Sequence, residues 1–242
     1  MFAGGASGGT SQLQSRLCFM PKPVPPCSGA FSSCGCLTPT RAISGRYTDA
    51  VDIYNSTTGT WSTARLSGAR ADLGAASVGN LAIFAGGREQ TADFRDNLVD
   101  VVDIYNSATG TWSTARLSAS RMWLSGVSAG NAVIFAGGVG PGGFLAADVG
   151  IAADLYNSAT GTWSTAELSA ARFIVAATSL GHLAIFAGGE HPYTPSNAVD
   201  IYNSATGTWS TAQLSVGRKY LAAASAGNLA IIAGGFTGAF SH

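Results

Sequence analysis

The chain has 242 residues, 46% hydrophobic and only 11% charged, with 32 glycines, and its 13 basic and 13 acidic side chains cancel. That is long enough for a sizeable core and too apolar for intrinsic disorder, and no net field draws it to nucleic acid or an anionic membrane. Lysine occurs only at Lys22 and Lys219, and no apolar run nears the ~20 residues of a bilayer crossing, so neither nucleic acid nor membrane is expected as a partner.

In chain order, the first residues lack the basic segment and apolar stretch of a secretory leader. The compartment is therefore undetermined, with the cytoplasm as the default expectation. Phe2-Ala-Gly-Gly5 duplicates the later stretch Phe84-Ala-Gly-Gly87. Residues 11–44 then hold all four cysteines (Cys18, Cys27, Cys34, Cys36) and five of the eight prolines. Four thiols could bind zinc, but these spacings match no common zinc pattern. The Pro/Ser/Gly composition reads instead as a poorly ordered insertion, so no metal or cofactor is expected. Residues 1–44 are thus set apart from a repeat region over 45–242.

That region announces itself through Tyr-Asn-Ser-Ala-Thr-Gly-Thr-Trp-Ser-Thr-Ala, which begins at Tyr105, Tyr156 and Tyr202, with a fourth copy from Tyr54 differing only at Thr57. The tryptophans Trp61, Trp112, Trp163 and Trp209 are 51, 51 and 46 residues apart, and hydrophobic runs ending at Gly87, Gly138, Gly189 and Gly235 keep the same spacing. Periods of this length signal propellers, solenoids or arrays. Val51-Asp-Ile-Tyr54 predicts a strand C, and Thr60-Trp-Ser-Thr63 an outer strand D with one large ring among hydroxyls. Small residues Leu73-Gly-Ala-Ala-Ser77 predict a strand A, and the continuously apolar Leu81-Ala-Ile-Phe-Ala85 a strand B buried on both faces. Gly-Asn turns join A to B, and Asn-Ser-x-Thr-Gly-Thr turns join C to D with glycine at the left-handed position. The gradient from small to bulky to polar fits four-stranded sheets arranged radially, with A where the sheets converge.

The double glycine after an apolar strand, the Tyr and Trp beyond it, and an arginine before strand A (Arg70, Arg121, Arg172, Arg218) together resemble kelch repeats over roughly residues 45–236. The resemblance implies an all-β, kelch-type β-propeller of four-stranded antiparallel blades, related to the central-domain blades of galactose oxidase. Complete units fall near 70–112, 121–163 and 172–209, with partial units at both ends. Joining the terminal A–B pair to the first C–D pair gives about four blades; the family's usual six or seven makes part of a larger ring the alternative.

Alternating strands put the B–C and D–A connections on one face of such a ring. Loops on a rigid scaffold are the usual carriers of binding, and the B–C loops are where the repeats differ. A partner-binding surface is therefore expected from Arg70, Arg121, Arg172 and Arg218 with Arg88, Arg95, Phe144, His191 and Tyr193. Arginine forks suit carboxylates, and kelch modules that bind acidic peptides use arginines near these positions, so the expected partner is an acidic protein or peptide. The competing reading is that a residue repeated in every blade belongs to the blade, the arginines pairing with local carboxylates or carbonyls. The repeated Asp52, Asp103, Asp154 and Asp200 read as turn caps or arginine partners, because no dense oxygen-ligand run supports calcium. The sequences after the arginines also differ, at Asp72, Trp123, Phe173 and Tyr220.

Catalysis is not expected. Galactose oxidase-like enzymes need two tyrosines, two histidines and a crosslinked cysteine, but the three histidines here are His182, His191 and His242, with His182 at a turn on the face opposite His191. Sialidases carry Ser-x-Asp-x-Gly-x-Thr-Trp, and Ser56-Thr-Thr-Gly-Thr-Trp61 lacks the Asp and one residue. A monomeric, non-catalytic protein-interaction module is the expected function; a structural repeat protein without a defined ligand, or a degenerate enzyme of either type, is the alternative.

Overall fold

A computed structural model describes residues 2–3, 47–90, 96–143, 150–191 and 193–238. Arg95, Phe144 and the cysteine- and proline-rich segment lie outside the described residues. Every regular element described is a strand, and no helix is long and apolar enough to cross a membrane.

Three complete blades follow the A-B-C-D order, each strand antiparallel to the next. Blade 2 comprises Gly74–Val78, Leu81–Ala85, Val101–Asn106 and Thr111–Arg116. Blade 3 comprises Ser125–Ala129, Ala132–Ala136, Ala152–Asn157 and Thr162–Glu167. Blade 4 comprises Ala176–Leu180, Leu183–Ala187, Ala198–Asn203 and Thr208–Gln213. The expected strands are all present, with C and D each two residues longer than the sequence suggested.

Small side chains in strand A have the expected cause. The A strands of successive blades lie against one another, and a Cβ on Gly126 would sit 2.6 Å from the Ala75 carbonyl oxygen of the previous blade. Strand B alternates between two neighbours, as a period of two requires. In blade 2, Phe84 and Ala82 pack on Val51 and Leu66 of blade 1, the partial blade of Ala50–Asn55 and Thr60–Arg65, whereas Ile83 and Ala85 pack on Val133 and Phe135 of blade 3. Each tryptophan holds strand D by packing in a tilted arrangement against the tyrosine opposite in strand C, with centroids 5.0 Å apart for Tyr105–Trp112 and 5.2 Å for Tyr156–Trp163. The C–D turn is fixed by its asparagine, whose side-chain oxygen accepts from the backbone two residues on, as in Ala108 N–H to Asn106 Oδ1 at 2.9 Å.

The double glycine does more than end strand B. Its second residue adopts φ of +99° at Gly87 and +104° at Gly138, a region open only to glycine. The N–H of Gly87 donates to the Arg121 carbonyl, and that of Gly138 to the Arg172 carbonyl, each belonging to the next blade. A Cβ at Gly138 would meet the Met122 carbonyl oxygen at 2.7 Å. The motif is a backbone joint between blades.

The ends of the array differ from expectation. The terminal pair, Ala222–Ala226 and Leu229–Ala233, stands as a two-stranded sheet and does not join the first C and D strands, Ala50–Asn55 and Thr60–Arg65. Phe2–Ala3 instead pairs with that first strand C, in the register Phe2↔Asp52 and Ala3↔Val51. Phe84↔Asp103 and Ala85↔Val102 show the same register in blade 2. Phe2–Ala3, the start of the duplicated stretch, thus takes the strand-B position of the first partial blade and corrects the expected closure.

Candidate functional site

The D–A and B–C connections meet on one face. Arg70–Ala71 pairs with Arg88–Gln90, which pairs in turn with Asp96–Leu98. In blades 3 and 4 and the terminal pair the same contact is a single bridge: Met122↔Val139, Phe173↔Glu190 and Lys219↔Phe236. The sequence suggested plain loops here; these backbone groups form a second, smaller layer because each needs a partner when covered.

Beneath this layer lie three of the four repeated arginines. Arg70, Arg121 and Arg172 are 2%, 2% and 0% exposed. Arg70 pairs with Asp103 at 2.5 Å, Arg121 with Asp154, and Arg172 with Asp200. Arg121 Nη1 also donates to the carbonyls of Gly137 and Ala152, and Arg172 Nη1 to those of Gly188 and Ala198. Each aspartate accepts further bonds from the strand leaving the previous blade, as in Ser118 N–H to Asp154 Oδ1 at 2.8 Å. One guanidinium thus ties its own strand A entrance to strands B and C, and its aspartate ties that blade to the one before. Burial pulls Arg121 and Arg172 below the ordinary guanidinium value, opposed by the charges of Asp154 and Asp200. Arg218 is half-buried and donates to the Gly234 carbonyl at 2.8 Å.

Two residues beyond each arginine the backbone turns left-handed without glycine. Asp72, Trp123, Ile174 and Tyr220 have φ of 59°, 55°, 53° and 56°. The sequence comparison placed Phe173 in this series, but the equivalent residue is Ile174. Residues in this conformation cost about 1–2 kcal/mol each and persist only where their surroundings impose it. Here the conformation lifts four different side chains onto one face, and the Trp123 N–H donates to the Asp72 carbonyl of the preceding position. The motif Arg-x-x-Leu (Val175 in blade 4), with no glycine at its third position, carries no sign of this.

The side chains around these positions differ from blade to blade. Arg88 pairs with Asp72 at 2.6 Å and lies over the Tyr47 ring. Trp123 stacks on Phe173 with centroids 6.1 Å apart, next to Val139 and Ile174. Lys219 is fully buried against Glu190 at 2.6 Å, with Tyr220 and Phe236 over its ammonium group. Tyr220 and Phe236 are 55% and 47% exposed. The Lys219–Glu190 pair escaped the sequence reading, although Lys219 stands where the other blades have Ala71, Met122 and Phe173, and Glu190 where they have Arg88, Val139 and Phe236. Beyond it, Glu190–His191 and Thr194–Pro195 form a small hairpin that exposes His191 and Tyr193.

On the opposite face, Asn131, Tyr156, Asn157, His182, Tyr202 and Ser204 line a shallow opening between blades 3 and 4. Strand B of blade 4 separates His182 from His191, so the two do not converge. Among the described residues no three His, Cys, Asp or Glu side chains are grouped to hold a metal ion.

No family model matches the chain. It is 35% identical over 89 residues to the F-box/kelch-repeat protein SKIP11 of Arabidopsis thaliana, an alignment that covers 36% of this chain and 18% of that protein. Among solved structures it resembles YjhT, at a TM-score of 0.59 and 17% identity, over 73% of this chain and 63% of that one. The chain therefore spans less than two thirds of either protein. With the blade geometry above, these likenesses bear out the resemblance to kelch repeats and the all-β, propeller-type fold.

Proposed function

We propose that the chain is a non-catalytic protein-interaction module that engages its partner through the D–A and B–C face. The carrying observation is the set of left-handed residues: repeats that are otherwise nearly identical present Asp72, Trp123, Ile174 and Tyr220 at one conserved, strained backbone position. Backbone strain clusters at clamps and recognition sites, and aromatic and arginine side chains dominate binding energetics. The contact surface is formed by Trp123, Tyr220 and Phe236 with Arg88, His191 and Tyr193. The staple arginines Arg70, Arg121 and Arg172 hold the loops that present them. The partner is a peptide segment with apolar anchors for the aromatic positions and a carboxylate for Arg88. The kelch-repeat likeness to an F-box protein supports a protein partner in general terms.

Selection from a displayed random-peptide library tests this. Peptides enriched on the wild-type protein should bind Trp123→Ala and Tyr220→Ala at least about tenfold more weakly, a loss in the range typical of an interface anchor. Tyr156→Phe, on the opposite face, should leave binding unchanged. Saturable peptides indifferent to both alanine substitutions would place recognition elsewhere and sink the proposal.

A further inference from the structure

The two partial blades carry complementary strands, A and B at the C-terminal end and C and D at the N-terminal end. Leu229–Ala233 has strand A beside it and, among the described residues, no strand on the edge where strand C would pair. Ala50–Asn55 has strand D beside it and, among the described residues, pairs on its other edge with Phe2–Ala3 alone, two residue pairs where strand B of blade 2 makes five. Open strand edges with free backbone groups are ready templates for another strand. The apolar exposure follows the same division. Leu229 and Ile231 are 63% and 49% exposed at the alternate positions that, in blade 2, pack against the next blade, while Tyr54 and Trp61 are 49% and 63% exposed.

The staple shows the same incompleteness. Arg218 donates to Gly234 as Arg121 does to Gly137 and Arg172 to Gly188. It meets no carboxylate among the described residues, where Arg70, Arg121 and Arg172 each hold an aspartate. Among the described residues, the Asp52 side chain is exposed and makes no hydrogen bond or ion pair. Asp52 stands in the strand position of Asp103, Asp154 and Asp200. The chain folded alone keeps these halves unjoined.

We infer that a second copy of this chain completes the blade, its Ala50–Asn55 and Thr60–Arg65 hairpin docking on Leu229–Ala233 with Asp52 of that copy accepting from Arg218. The register follows from blade 4, where Phe186 faces Asp200 and Ala187 faces Val199: Ile232 faces Asp52 and Ala233 faces Val51. Phe2–Ala3 is displaced, exchanging two pairs for five. Made reciprocally, the contact gives two composite blades beside three complete ones from each copy, eight in all, within the roughly four to eight that propellers use. The surface is continuous with the repeating blade-to-blade interface, so its occupant already exists in the sequence.

Sedimentation velocity over a concentration series of the whole chain is the test. A concentration-dependent dimer is expected. Arg218→Asp and Asp52→Arg should each weaken it on the order of 100-fold or more, the consequence of leaving a buried charge unpaired. The double variant Arg218→Asp/Asp52→Arg should restore it. Asp52→Ala serves as a further variant, because that exposed side chain supports nothing in the isolated fold. A monomer at every concentration, including one in which a chain closes on its own hairpin, overturns the inference. So does a dimer indifferent to both charge reversals.

Discussion

Removing Asp154 exposes the logic of the staple most directly. In Asp154→Ala the Arg121 guanidinium, 2% exposed, loses its counter-charge, and the Ser118 N–H and hydroxyl lose their acceptor. Breaking one side of a buried ion pair costs about 3–5 kcal/mol, because the remaining charge stays desolvated. At about 2–4 °C per kcal/mol for a chain of this size, the melting temperature should fall by about 6–20 °C. Arg121→Met/Asp154→Leu should recover most of that loss by removing both charges. It should not recover all of it, since the Gly137 and Ala152 carbonyls then lose a donor at about 1 kcal/mol each. Urea denaturation gives the ordering, and hydrogen exchange over residues 150–167 should show the opening centred on blade 3, as contacts in repeat arrays are made mainly with neighbours. If Asp154→Ala unfolds within about 0.5 kcal/mol of wild type, or the double variant is less stable than the single, the staple does not hold the blades.

Other substitutions separate the remaining causes. Gly138→Ala should destabilise by about 2–3 kcal/mol in chemical denaturation, because φ is +104° and the new Cβ meets the Met122 carbonyl oxygen. Gly110→Ala, at φ +72° with open space around it, should cost only about 1 kcal/mol. Tyr220→Gly should raise the melting temperature by relieving about 1 kcal/mol of left-handed strain, while peptide binding falls, the trade expected when strain serves recognition. Asn157→Ala should cost about 1 kcal/mol through loss of the acceptor for the Ala159 N–H, visible as earlier exchange in that turn.

The blades were legible before any coordinates because their causes are local. A run such as Leu81-Ala-Ile-Phe-Ala85 is a buried strand wherever it sits, and Asn106 with Gly110 makes its turn from its own side chain and its own φ. The order of small, bulky and polar strands follows from how much room each radius allows, and Gly126 against Ala75 is that limit in atoms. Surface and interior, by contrast, depend on which distant segments meet. The same arginine could have reached outward to a ligand; the partners that bring Arg121 inward, Asp154 and the Gly137 and Ala152 carbonyls, come from strands B and C. The left-handed turn at Trp123 follows from a bond to Asp72, one repeat away, and the pairing of Phe2–Ala3 with Val51 and Asp52 from an edge that strand D leaves open. Sequence alone established the repeating sheet, since strand and turn preferences act over a few residues. Tertiary structure alone decided which charges are buried, which side chains form the face and which edges stay open, because each depends on contacts between segments far apart in the chain.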